Sequence, residues 1–149
     1  MAFVFAYGTL SFPPLMRAVC GQSYRHAPAT LHGFARWKVR GQVYPGAIER
    51  EGAAIDGLVY AGVDDLGVRL LDAFEGELYR RCLLQVECEP QGVEAFVYTV
   101  DVENAGRLSE APWDPEAFRS AHLARYVRAC QAFHERQLRG GLPDVEPGS

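Results

Sequence analysis

Two stretches of alternating side chains, YRRCLLQVECE at 79–89 and EAFVYTV at 94–100, face each other across Pro90, Gln91 and Gly92. In the first, Cys82, Leu84, Val86 and Cys88 fall on one side of a strand, while Arg81, Gln85, Glu87 and Glu89 mostly take the other. The second repeats the alternation, and a Pro-Gln-Gly turn between them makes an antiparallel hairpin. Whatever fold this chain adopts has to place that hairpin in a sheet.

The rest of the chain supplies more strands before it supplies much helix. The opening AFVFAY is an unbroken apolar run ending at Gly8, which reads as a buried strand with Tyr7 at its end. Pro13 and Pro14 then open PLMRAVC, two turns of helix with Leu15, Val19 and Cys20 inward and Gly21 as the stop. From Ala29 to Val43 the aromatic and basic text suits one or two twisted strands, kinked at Gly33 and broken at Gly41. IDGLVYAGV at 55–63 reads as a strand, after which Asp64 caps a helix with Leu66, Leu70, Leu71 and Phe74 inward and Gly76 at its end. Asp114 and Pro115 start a long C-terminal helix with Phe118, His122, Tyr126, Ala129 and Phe133 along one face. Regular βαβ alternation fails, so the expected class is α+β, a small mixed β-barrel or sheet with flanking helices. At 149 residues the chain has room for one domain, taken as 1–139, with a frayed tail at 140–149.

Charge and cysteine usage then narrow the partners. Nineteen acidic against fifteen basic side chains give a net charge of −4, without the basic footprint of a nucleic-acid reader. No run approaches the roughly 20 apolar residues that span a bilayer, and the N-terminus lacks the marks of a signal peptide, so no membrane partner and a cytoplasmic location are expected. Cys20, Cys82, Cys88 and Cys130 are scattered, with no CxxC pair, which points to free thiols and no metal.

Among residues that can carry chemistry, YGTL at 7–10 and Glu75 stand out. The chain has no Walker loop, GxGxxG, GxSxG or HExxH. Successive N–H groups leaving a strand at Gly8 either make an ordinary turn or form a nest for a carboxylate or a polarised carbonyl oxygen. Glu75 closes a helix, where a carboxylate is disfavoured by about 0.3 to 1 kcal/mol. It is either a solvated surface residue or a partly desolvated one whose protonated form the helix dipole and Phe74 favour, as proton transfer near neutral pH requires. Tyr79 either shares a ligand with Glu75 or packs on the hairpin end, and Tyr98 is either core or pocket wall. Arg80 and Arg81 face opposite ways, so at most one reaches such a site. His122 reads as a core histidine rather than a base.

FAYGTL, the YPG of Tyr44 to Gly46, the GLVY strand, LLDAFEGELYRR and a later FVY strand come in an order that resembles the gamma-glutamylcyclotransferase-like superfamily. The likeness is to its gamma-glutamylamine cyclotransferase and plant avirulence-induced-gene-like branch, covers about residues 3 to 100, and rests on YGTL followed by LDxFEGxxYxR. The resemblance implies a small mixed barrel whose cavity is lined by the YGTL loop and the Glu of FEG. By position, Tyr7, Gly8, Thr9 and Leu10 would hold the glutamyl group, Glu75 would act as general acid/base, and Tyr79 matches the tyrosine that follows. The segment between Glu75 and Tyr79 is shorter here than in the gamma-glutamylamine branch.

The implied reaction is the release of 5-oxoproline from a gamma-glutamyl amide by attack of its own α-amine, which needs no nucleophile, metal or cofactor. The partner would be a small gamma-glutamyl compound; the amine leaving group and the oligomeric state stay open. A different class of function, a non-catalytic module sensing a small ligand in the same cavity, shares the binding groups. A third, an interaction module using the long helix, requires an exposed apolar patch on Phe118, Tyr126 and Phe133.

Overall fold

The computed structural model describes residues 1–89 and 91–140. Five strands, β1 (Ala2–Ala6), β2 (His26–Lys38), β3 (Pro45–Val63), β4 (Arg80–Cys88) and β5 (Gln91–Thr99), close a barrel in the order β1-β3-β2-β4-β5. All neighbours are antiparallel except the closing pair, where β1 and β5 run parallel through Val4 and Phe96. Three helices, α1 (Pro13–Cys20), α2 (Asp65–Glu75) and α3 (Pro115–Gly140), lie outside it.

Alternation of side chains along the strands sorts the apolar residues into two layers. Phe5, Tyr7, Ala29, Leu31, Ala47, Ile55, Val59, Val86, Ala95 and Val97 fill the barrel. The opposite parity, including Val4, Ala6, Tyr60, Tyr98 and Val100, packs outward with Leu15, Val19, Leu71, Phe74, Phe118 and Phe133 of the helices. Tyr7 and Tyr98 therefore sit in different layers, the first within the barrel and the second between barrel and helices.

The long β2–β3 hairpin is bent by a bulge. Positions 50–53 of β3 stand opposite Gly33 alone, between the pairs Phe34↔Glu49 and His32↔Ala54. Gly33 and Gly52 both take positive φ there, at 85° and 82°, a conformation that side chains with a Cβ rarely adopt. The kink expected at Gly33 is thus present, whereas β3 begins ten residues before the Ile55 start read from alternation.

In α2 the Asp64 carboxylate accepts from the Gly67 N–H at 2.9 Å, the cap expected of it. Gly67, Leu70, Leu71 and Phe74 form the buried face, so Leu66, expected inward, points to solvent. In α3, Phe118 and Phe133 are buried and Tyr126 and His122 half-buried, but Ala129 is exposed and Cys130 takes the inward place. Phe133 meets Phe74 edge-on at 5.7 Å, and Phe118 stacks on Phe12 at 5.6 Å. The apolar face of α3 is spent on the body of the molecule.

The β4–β5 ladder continues to Cys88↔Gln91, so Gln91 and Gly92, read as turn, are strand residues. Only positions 89 and 90 separate the paired arms, the short connection that strand twist favours. Pro90 lies outside the described residues, as does the expected tail apart from Gly140, which ends α3. No helix among the described residues is long and apolar enough to cross a membrane. All four cysteines are free thiols, and no cluster of metal-ligating side chains occurs among the described residues.

Candidate active site

Glu75 follows Leu71 by four residues and so continues the buried face of α2 to its last position. It is 2% exposed. Gly76 then turns the chain with φ 79° and ψ −166°, a region open essentially to glycine alone, and its N–H closes on the Asp72 carbonyl at 3.3 Å. The FEG string is thus one device: Phe74 anchors the helix against α3, Glu75 is buried, and Gly76 lets the chain leave at once.

A cavity of about 610 Å³ opens at this helix end, lined by Tyr44, Glu75, Gly76, Glu77, Leu78, Tyr79, Asn104 and Arg107. Tyr79 is fixed in its wall by donating its hydroxyl to the Pro45 carbonyl at 2.7 Å. Tyr44, one residue before β3, is buried, and burial pushes its phenol pKa up. Arg107 opposes that push and Glu75 adds to it, which sets the phenol electrostatically between a cation and a carboxyl group.

A line of hydrogen bonds ties this helix end to the barrel. Tyr98 donates its hydroxyl to Asp72 Oδ1 at 2.7 Å, one turn before Glu75. Burial, followed by that hydrogen bond, holds the Tyr98 phenol well above its ordinary pKa. The Asp72 carboxylate also meets Arg81 at 2.9 Å. On the other side of the strand, the Tyr98 carbonyl accepts from the Tyr7 hydroxyl at 2.6 Å, and the same hydroxyl accepts from the Ala47 N–H at 3.1 Å. Tyr7 is a strut joining β1, β3 and β5.

The YGTL loop is fixed through its carbonyls. Tyr7 O accepts from Arg36 at 2.9 Å, Gly8 O from the Ser11 N–H at 2.9 Å, Thr9 O from the Phe12 N–H at 3.2 Å, and Leu10 O from the Tyr60 hydroxyl at 2.6 Å. Thr9 and Leu10 sit in a single 3-10 turn, Thr9–Ser11, and all four loop residues are buried.

Of the residues expected at the site, Glu75 and Tyr79 line the cavity. Tyr7, Gly8, Thr9, Leu10 and Tyr98 are not in its lining; Tyr98 lies under α2, and Tyr7 inside the barrel. Neither Arg80 nor Arg81 reaches it; they pair with Asp101 and Asp72. His122 takes a hydrogen bond from Arg125 at 2.8 Å on α3. Sequence reasoning overlooked Asn104 and Arg107, which lie in a 3-10 segment, Val102–Arg107, that carries no hydrophobic period. Tyr44 was visible only as part of YPG. A Tyr-Pro-Gly flanked by apolar residues, with the phenol donor needing a buried place, was the available signal.

The model of the family described as gamma-glutamyl cyclotransferase, AIG2-like, matches residues 4–115. Protein AIG2 C of Arabidopsis thaliana is 30% identical over 128 residues, covering 83% of this chain and 76% of its own length. A protein of Arabidopsis thaliana solved in solution superposes with a TM-score of 0.66 at 26% identity, covering 95% of this chain and 85% of that one. A solved gamma-glutamyl cyclotransferase superposes with a TM-score of 0.63 over 99% of this chain and 89% of its own, at 14% identity, a likeness of fold alone. A family match running from β1 past β5, joined to a relative alike along most of both chains, makes this protein a member of the AIG2-like gamma-glutamyl cyclotransferase family.

Proposed function

We propose that the protein releases 5-oxoproline from a gamma-glutamyl amide, with Glu75 carrying the proton. The observation that supports this reading is a carboxyl group that is almost wholly buried and yet lines a cavity large enough for a small molecule. In the proposed reaction the substrate's α-amine nitrogen attacks its own γ-carbonyl carbon. A five-membered lactam closes, the original amide C–N bond breaks, and the two protons lost as the α-ammonium becomes the lactam N–H leave on the departing amine, which is released as its ammonium. Glu75 takes a proton from the attacking nitrogen as base and returns it to the departing nitrogen as acid, once for each of the two, the task of a positioned carboxyl group shielded from water. Because both reacting groups belong to one molecule, holding it in a folded conformation supplies much of the acceleration.

Gly8, Thr9 and Leu10 are buried outside the lining of this cavity, so the YGTL loop is proposed as a support for the end of β1 rather than as a donor to the substrate. The fixation of its carbonyls by Arg36, Ser11, Phe12 and Tyr60 favours that supporting role. Tyr79 bounds the glutamyl group in the cavity, while Tyr7 and Tyr98 hold loop and helix end in place. The test is 5-oxoproline release from a panel of gamma-glutamyl amino acids and gamma-glutamyl amines. Turnover of at least one member is expected, and silence across the panel with ligand still binding in the cavity would favour a sensing module.

A further inference from the structure

Five tyrosines are buried among the described residues, and four of them have their hydroxyls committed within the protein. Tyr7 donates to the Tyr98 carbonyl and Tyr60 to the Leu10 carbonyl, each at 2.6 Å, while Tyr79 donates to the Pro45 carbonyl and Tyr98 to Asp72 Oδ1, each at 2.7 Å. The fifth is Tyr44. It is 5% exposed, lines the cavity at the end of α2, and its hydroxyl has no hydrogen-bond partner among the described residues. A buried polar group is nearly always hydrogen-bonded, so this hydroxyl takes its partner from whatever fills the cavity.

The backbone beneath that side chain is fixed at three consecutive carbonyls. Val43 O accepts from Trp113 Nε1 at 2.8 Å, Tyr44 O from the Val39 N–H at 3.0 Å, and Pro45 O from the Tyr79 hydroxyl at 2.7 Å. A donor held in this way need not reorganise during a reaction, which is the property of an effective donor to a developing oxyanion. Burial pushes the Tyr44 phenol pKa above its ordinary value, with Arg107 opposing the rise and Glu75 adding to it, so the hydroxyl keeps its proton at neutral pH.

In the proposed reaction, the oxygen that gains charge sits on the carbon that also carries both nitrogens exchanging protons with Glu75. Its donor must therefore stand beside Glu75, at the buried end of the cavity. Of the polar side chains lining that cavity, Arg107 and Glu77 are exposed, Asn104 is half-buried, and the Tyr79 hydroxyl is already spent on Pro45. We propose that Tyr44 is a further catalytic residue, whose hydroxyl donates a hydrogen bond to the γ-carbonyl oxygen as that oxygen becomes an oxyanion. The phenol gives up no proton; it stabilises charge while Glu75 moves the protons. This inference rests on the cyclotransferase reading and adds a second residue to the same site.

The experiment measures 5-oxoproline release by the wild type and Tyr44→Phe on the best substrate of the panel, beside urea unfolding of both. Phenylalanine keeps the buried ring and removes only the hydroxyl. The expected result is a kcat lower by about 100- to 1,000-fold, the loss that follows removal of one oxyanion donor, with KM little changed and the unfolding midpoint kept. An unchanged kcat overturns the inference and leaves the cyclotransferase reading standing. So does a loss carried by KM alone, which marks a contact made equally to substrate and transition state, or a fall in kcat that comes only with a lowered unfolding midpoint, which marks a structural phenol. Silence of the wild type across the whole panel overturns both.

Discussion

Glu75 is held at the end of α2 between two neighbours that fix the helix and its exit. Phe74 locks α2 to α3, and Gly76 adopts a backbone conformation that a Cβ would strain by about 1 to 3 kcal/mol. Gly76→Ala is therefore expected to lower stability in urea unfolding by that amount. The same substitution should depress turnover more than it depresses ligand binding, because the displaced group is the one that moves the proton. A variant with unchanged kinetics would show that Glu75 does not need this exit. The LDxFEG text was legible in the sequence because each letter has a separate physical job. Arg107 was not legible, since an exposed arginine in a polar loop looks the same whether or not the fold brings it to a cavity.

At the level of elements, β1 and β3 approach so closely that a Cβ at Gly57 would collide with the Ala6 carbonyl and come within 2.9 Å of the Phe5 ring. The Ala6↔Leu58 register beside it is part of what closes the barrel. Gly57→Ala is expected to cost about 1 to 3 kcal/mol, as overpacking does. Chemical denaturation measures this directly, and a neutral substitution would mean that β1 can shift without cost. The hairpin, the Asp64 cap and the Gly21 stop follow from local chemistry and were readable from the letters. The ten extra residues at the start of β3 were not, because Pro45–Ala54 gains its strand state from pairing with β2 across a bulge, a non-local match that alternation cannot reveal. The layer assigned to a residue was equally hidden. Tyr7 and Tyr98 both end apolar runs, yet strand parity sends one into the barrel and the other under α2.

The whole molecule buries several of its weak acids, and this gives it an alkaline limit. Burial pushes the Cys20 thiol and the Tyr126 phenol each up to about 12, and moves Tyr24, Tyr60 and Tyr98 in the same direction. Below the ordinary values of 9.0 for the thiol and 10.0 for the phenols, these groups are protonated in folded and unfolded chains alike, so they add no pH dependence. Above them the unfolded chain releases protons that the folded one retains, and stability falls as pH rises. The Tm is expected to show no contribution from these groups up to about pH 9 and then to decline, with phenolate absorbance at those tyrosines developing only as the protein unfolds. Phenolate absorbance from all seven tyrosines in a still-folded protein at pH 10.5 would contradict it.

In the proposed reaction the buried carboxyl group at the end of α2 transfers the proton. The direct measurement is 5-oxoproline release by Glu75→Gln beside the wild type, on the best substrate of the panel, with substrate affinity measured calorimetrically for both. In Glu75→Gln kcat is expected to fall by about 100- to 10,000-fold while affinity changes little. Turnover by Glu75→Gln at the wild-type rate, with the fold intact, would contradict it.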